Sequence, residues 1–143
     1  PPFYVAGSRV TDEIRALEQP GNGVVIKGFV SEEELARLYD SVRIVAVPLR
    51  YGAGVKGKVV EAMYNGAAIV TTSIGAEGLA GAGEVMAVED EARAFGETLA
   101  ELYTDPARCL ALSRGTRKYV RDHYSQEAAW NVIKEDFQVR STE

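Results

Sequence analysis

The chain has too few cysteine and histidine residues for a disulfide or a zinc site. Its 143 residues contain one cysteine, Cys109, and one histidine, His123. A disulfide within the chain needs a second cysteine, and a zinc site needs several ligands of these types. The residues around Cys109 have the pattern of an apolar helix face, which favours a packing role for its thiol. We therefore expect no metal and no cofactor.

Long apolar runs and an excess of positive charge are also absent. The longest apolar stretches have the length of strands, well short of the roughly 20 residues that span a membrane as a helix. The formal net charge is −5, which argues against a general surface for nucleic acid. Apolar residues make up 46% and charged residues 26% of the chain, as in soluble globular domains. These values predict a single domain over residues 1–143 with a cytoplasmic location.

Short apolar strands alternate with helices along most of the chain. Strands are predicted at 3–6, 24–29, 43–47, 67–72 and 84–88. Predicted helices separate them, and further helices follow at 92–103, from Pro106 onward and at 125–137. This alternation predicts parallel βαβ units. The expected fold class is therefore α/β, a Rossmann-like three-layer domain with a parallel sheet that ends in several helices.

A glycine-rich turn follows the third predicted strand and opens a helix. It contains Gly52, Gly54 and Gly57, together with Lys56 and Lys58. Backbone N–H groups beside the positive end of a helix dipole favour phosphate. In parallel α/β sheets, ligands bind at the carboxyl ends of the strands, where this turn lies. The sequence therefore predicts a phosphorylated ligand at the turn.

Two nucleotide-binding motifs match the letters of this turn, and neither is complete. The dinucleotide fingerprint G-x-G-x-x-G needs an acidic residue at the end of the next strand, where this chain has Thr71 and Thr72. Glu77 lies at the right distance but beyond that strand. The P-loop motif G-x-x-x-x-G-K continues with Ser or Thr, and this chain has Val59. A Rossmann-like domain for another phosphorylated ligand, such as a dinucleotide, stays open as an alternative.

A longer series of motifs resembles the C-terminal, donor-binding domain of GT-B glycosyltransferases of group 1. Within these it is similar to the retaining enzymes that use nucleotide-diphosphate sugars. In chain order the motifs are Val47-Pro48, Gly52-Ala53-Gly54, Glu61-Ala62-Met63, Gly66, the strand 68–72 and Gly75-Ala76-Glu77-Gly78-Leu79. The resemblance runs from about residue 3 to residue 137, and the order and spacing of the motifs are more specific than any one of them.

The resemblance implies a hexosyltransferase-like enzyme and a set of binding residues. Glu61 matches the glutamate that binds the ribose hydroxyls of the donor, and a carboxylate suits a vicinal diol because it accepts more than one hydrogen bond. Lys56 and Lys58 would neutralise phosphate charge, and the segment at Gly28 and Phe29 matches the place where the base packs. The implied substrate-binding set is Gly52, Ala53, Gly54, Val55, Lys56, Lys58, Glu61, Gly28 and Phe29.

Two departures from the family pattern limit what the resemblance implies. The family usually carries a second glutamate near the donor sugar, at the position that Ala53 holds here. This suggests a different way of holding the hexose, to which Lys56 could contribute, and it leaves the donor sugar and the catalytic residue unassigned. GT-B enzymes also close two domains around their substrates, so the expected partner is an N-terminal acceptor domain of the same enzyme. Without it we expect little or no transfer.

The last partner prediction concerns a positively charged helix face. Arg114, Arg117, Lys118 and Arg121 put positive charge on one helix, which is typical of a solvated face. Peripheral contact of the full-length enzyme with acidic lipid headgroups is the alternative for this face.

Overall fold

The structure is a computed structural model that describes residues 1–125, so most of the helix predicted at 125–137 lies outside the described residues. Its contacts divide the chain into two compact units, one over Pro1–Ser41 and one that begins at Val42.

The first unit is a small parallel α/β element. Strand β1 pairs in parallel with strand β2, with Phe3 opposite Val24. Helix α1 is capped by Thr11, and helix α2 is capped by the Ser31 hydroxyl, which accepts the Glu34 N–H at 3.2 Å. The bounds are Phe3–Ala6 for β1, Asp12–Arg15 for α1, Val24–Gly28 for β2 and Glu32–Ser41 for α2.

The second unit holds a parallel sheet in the order β3-β4-β5 with helices around it. Its strands are β3 (Ile44–Val47), β4 (Ala68–Thr71) and β5 (Ala87–Val88). Its helices are α3 (Gly57–Tyr64), α4 (Ser73–Ala76), α5 (Ala92–Thr104) and α6 (Pro106–Tyr124), with a short 3-10 helix at Ala82–Glu84. Parallel strands alternating with helices confirm the predicted α/β class.

The buried core of the second unit lies around the middle strand. All four residues of β4 are buried, as expected for a strand covered on both faces. Val59 and Met63 of α3 and Leu102 of α5 are fully buried as well. Cys109 of α6 is buried with its Sγ 3.1 Å from the Leu102 carbonyl oxygen, and desolvation raises the pKa of its thiol. The predicted packing role of Cys109 is confirmed.

The fifth strand is shorter than the predicted 84–88. Gly81 has a φ of 73°, and a 3-10 turn follows it. The N–H groups of Val85 and Met86 both donate to the Ala82 carbonyl oxygen at 3.0 Å, so the backbone is still turning there. It becomes extended only at Ala87. No helix within residues 1–125 is long and apolar enough to cross a membrane.

Candidate functional site

The candidate site is built from two connections at the carboxyl edge of the second sheet. The first turn (residues 48–56) joins β3 to α3, and the second turn (residues 72–79) follows β4 and contains α4. Strands β3 and β4 are parallel neighbours, with Val47 opposite Thr71. Both turns therefore leave the sheet at the same edge, which is where parallel α/β sheets bind ligands.

Two threonine side chains tie the turns together. The buried Thr71 hydroxyl donates to the Val47 carbonyl oxygen at 2.9 Å. The next hydroxyl, on Thr72, donates to the Leu49 carbonyl oxygen at 2.6 Å and accepts the Gly75 N–H at 3.2 Å. Thr72 thus fixes the first turn and caps α4 with one group. In the sequence these threonines stand out only because they replace the acidic residue of the dinucleotide fingerprint. No sequence motif predicted that they support the first turn.

The second turn also approaches the first turn closely at Gly78. This residue has a φ of 77°, and a Cβ there would lie 2.9 Å from the Val55 Cγ2 and 3.4 Å from the Val55 nitrogen. Glycine meets both demands, because it tolerates the left-handed region and carries no Cβ. Glycine at position 78 is therefore needed to bring the turns into contact.

The first turn presents backbone donors that have no acceptor within residues 1–125. The N–H groups of Gly52 and Ala53, and those of residues 55–58, donate to no other group in this part of the chain. Helix α3 begins after Lys56 with no side-chain cap, whereas a side chain caps each of the other described α-helices. Unpaired N–H groups at a helix N-terminus form a site suited to an anion.

Lys56 is engaged within the site. Its Nζ donates to the Gly54 carbonyl oxygen and lies 3.0 Å from Oε2 of Glu77. The Lys56 side chain is 11% exposed, while the Glu77 side chain is 49% exposed. The hydrogen bond from Lys56 and then its charge lower the pKa of Glu77, burial opposes them with a smaller effect, and the Gly54 N–H lowers the pKa least of all. Glu77 is therefore ionised at neutral pH, and the Lys56 charge is compensated by it.

Lys58 and Glu61 lie on the solvent side of α3. Both are exposed and stand one turn apart on the same helix, so they share a face. Neither side chain forms an ion pair with a residue in the described part of the chain. The neighbouring Ala62 and Met63 are fully buried. The Glu-Ala-Met motif thus combines a free carboxylate with two core residues.

Gly28 and Phe29 belong to the first unit. Gly28 ends β2 with a φ of 64°, and Phe29 follows with 80% of its surface exposed. An exposed aromatic ring at the carboxyl end of a strand offers an apolar face. Within residues 1–125 no group of three or more His, Cys, Asp and Glu residues could hold a metal ion.

Comparisons with known proteins agree with this architecture. The chain is 27% identical over 114 residues to an uncharacterized 44.6 kDa protein in the cps region of Klebsiella pneumoniae, covering 79% of this chain and 29% of that protein. It resembles the structure of sucrose-phosphate synthase from Thermosynechococcus elongatus with a TM-score of 0.66 and 22% identity, covering 86% of this chain and 32% of that one. At this identity the likeness shows the fold alone, that of a GT-B domain.

The chain therefore spans about a third or less of the length of both proteins. The family model of Glycosyl transferases group 1 matches residues 2–105. Because this match covers most of the chain, and the fold agrees with it, the chain belongs to the group 1 glycosyltransferases.

Proposed function

We propose that this chain binds the nucleotide-diphosphate sugar donor of a retaining glycosyltransferase. The supporting observation is the series of unpaired N–H groups in the first turn, at the uncapped N-terminus of α3, with the free carboxylate of Glu61 one turn further on. Donors for a diphosphate and an acceptor for a ribose diol thus lie in one turn and the short helix that follows it. The whole enzyme would transfer the glycosyl group of this donor to an acceptor.

The diphosphate is proposed to lie against the first turn. The N–H groups of residues 52, 53 and 55–58 donate to its oxygens, and Lys58 supplies a charge that no described carboxylate compensates. Lys56 has a third ammonium proton beyond the two that point to Gly54 and Glu77. Donors fixed in this way stabilise the charge that develops on a leaving diphosphate, which is an efficient form of catalysis because the donors need no reorganisation.

The ribose of the nucleoside is proposed to contact a carboxylate of the second unit. Glu61 accepts hydrogen bonds from the two ribose hydroxyls, since an ionised carboxylate has several acceptor sites. For the first unit, a role of Gly28 and Phe29 in taking a base stays a prediction of the family resemblance, with the exposed Phe29 ring as the apolar surface.

Thermal unfolding of the 143-residue chain tests the proposal. We expect one of UDP, GDP and ADP, or a hexose conjugate of it, to raise the Tm, because a ligand at 100 times its Kd stabilises the native state by about 2.7 kcal/mol. Glu61→Ala should weaken binding by about 10- to 100-fold, as expected for lost hydrogen bonds to a charged group. Its Tm without ligand should not change, because Glu61 is exposed and unpaired among the described residues.

Glu101→Ala is the matched control. Glu101 is a helix-surface glutamate whose side chain is 70% exposed, on α5. Its replacement should leave the ligand-induced shift intact. A Tm shift with NAD and none with any nucleoside diphosphate would favour the dinucleotide alternative and refute the proposal.

A further inference from the structure

We propose that Glu77 contacts the glycosyl group of the donor and helps to select it. This role rests on the proposed function and adds a residue that the family resemblance did not assign to the sugar. Three features support this role: the position of the Glu77 carboxylate, the contacts that hold it, and its negative charge.

The second turn carries Glu77 to the edge of the proposed diphosphate site. The contact of Gly78 with Val55 brings the two turns together, and Glu77 is the residue just before Gly78. Its Oε2 lies 3.0 Å from Lys56 Nζ, and the Gly54 N–H also lowers the pKa of the same carboxylate. Glu77 is thus fixed from within the first turn while about half of its side chain remains exposed to solvent.

The charge of Glu77 determines which part of the ligand can adjoin it. An ionised carboxylate and a phosphate in contact repel each other, so the diphosphate is expected to lie against the N–H groups of the first turn instead. A carboxylate has roughly four acceptor sites, and the hydrogen bond from Lys56 uses only part of them. The neighbouring ligand group must therefore donate hydrogen bonds. In a nucleotide sugar these donors are hydroxyls, and Glu61 already takes those of the ribose.

No side chain of residues 53–56 can take this acceptor role. Ala53 and Val55 carry only carbon atoms, so neither can accept a hydrogen bond from a sugar hydroxyl. Lys56 can only donate. A carboxylate supplied by the second turn therefore provides the acceptor that Ala53 cannot. A sugar with hydroxyls placed toward Glu77 would be favoured over one without them.

The test measures the affinity of the 143-residue chain for UDP, GDP and ADP and for their hexose conjugates by titration calorimetry. The panel contains UDP-glucose, UDP-galactose, UDP-N-acetylglucosamine, GDP-mannose and ADP-glucose. For the best conjugate, we expect Glu77→Ala to reduce its affinity relative to the free nucleoside diphosphate by about tenfold, the size expected for one hydrogen bond to a charged group. Affinity for the nucleoside diphosphate itself should change by less than about threefold.

Glu97→Ala is the matched control, because Glu97 also forms an ion pair, at 2.8 Å with Arg93, but lies on α5. It should change neither affinity. A second measurement uses 3-deoxy and 4-deoxy analogues of the sugar. Loss of the contacted hydroxyl should weaken binding to the wild type about tenfold and leave binding to Glu77→Ala unchanged, because the partner is already gone.

Several outcomes would overturn this role. Equal weakening of both ligands by Glu77→Ala would mean that the residue only supports the turn, and equal tightening would mean that it competes with the diphosphate. An unchanged preference for the conjugate would also count against it. Each of these would leave the proposed function standing, whereas failure of every nucleoside diphosphate and conjugate to bind the wild type would remove both.

Discussion

Gly75 shows how a single missing side chain positions the candidate site. A Cβ at this position would lie 1.9 Å from Oγ1 and 3.2 Å from Cβ of Thr71. Thr71 is fully buried and its hydroxyl donates to the Val47 carbonyl oxygen, so it cannot move aside. The second turn can follow its path only while residue 75 is glycine.

We therefore expect Gly75→Ala to destabilise the chain by about 3 kcal/mol, from overpacking and from the broken Thr71 hydrogen bond. Urea unfolding measures this change. Adding Thr71→Ala removes the closest atom, so the double variant should be more stable than the sum of the single effects predicts, by about 1–2 kcal/mol.

Gly96→Ala provides the control for this experiment. Gly96 lies inside α5 with nothing within 4 Å of the added Cβ. The same substitution should stabilise the chain there by about 0.5–1 kcal/mol, because alanine favours the helix. Equal effects at the two positions would contradict the steric explanation.

Some residues of the candidate site could be proposed from the sequence and others could not. Glu61 could be proposed because the Glu-Ala-Met motif resembles that of the group 1 family, in which the glutamate binds the donor ribose. The pairing of Lys56 with Glu77 could not, because the two residues are far apart in the chain and meet only when two parallel strands bring their following turns together. Such contacts depend on strand order, which the alternation of strands and helices does not specify.

At the scale of elements, side chains of helix α6 form hydrogen bonds with the connection between α3 and β4. The Ser113 hydroxyl donates to the Gly66 carbonyl oxygen at 2.6 Å. One turn further on, the fully buried Thr116 places Oγ1 3.1 Å from the Ala67 carbonyl oxygen and 2.9 Å from the Ser113 carbonyl oxygen. These polar side chains satisfy carbonyl groups where the chain enters the middle strand.

Thr116→Val tests this contribution of α6. Valine keeps the shape of the side chain and removes the hydroxyl, so the cost should be that of lost buried hydrogen bonding, about 1–2 kcal/mol in the free energy of unfolding. Thr104→Val is the control, because that hydroxyl lies at the exposed end of α5, where water can replace it, and its loss should cost less than about 0.5 kcal/mol. Similar losses at both positions would show that burial does not set the cost.

The ends of elements were the least predictable part of the fold. The parallel strands and the helices around them follow from apolar periodicity, and the structure confirms them. The shortening of β5 does not, because it depends on the left-handed Gly81 and on the turn that continues through Met86. Residues 84–88 are apolar enough to suggest a longer strand, so local hydrogen bonding overrides the pattern.

At the scale of the whole molecule, the chain carries the proposed donor site but spans only about a third or less of the proteins it matches. In our proposal the first and second turns hold the diphosphate and the sugar. Group transfer also requires an acceptor held at reacting distance, and such positioning contributes up to about 10⁵–10⁸ M in effective concentration. We therefore expect this chain to bind the donor without transferring its glycosyl group.

We expect the 143-residue chain to bind a nucleotide sugar without transferring its glycosyl group at a measurable rate. The measurement is the release of nucleoside diphosphate from the conjugate that gives the largest Tm shift, with water and simple sugars as acceptors. Glu61→Ala should reduce the Tm shift and leave the absent turnover unchanged, since Glu61 is proposed to act in binding. The contrary result would be sustained release of nucleoside diphosphate by the wild-type chain that is lost in Glu61→Ala. It would mean that the 143 residues carry out the complete reaction, and it would contradict the expectation that they bind without turnover.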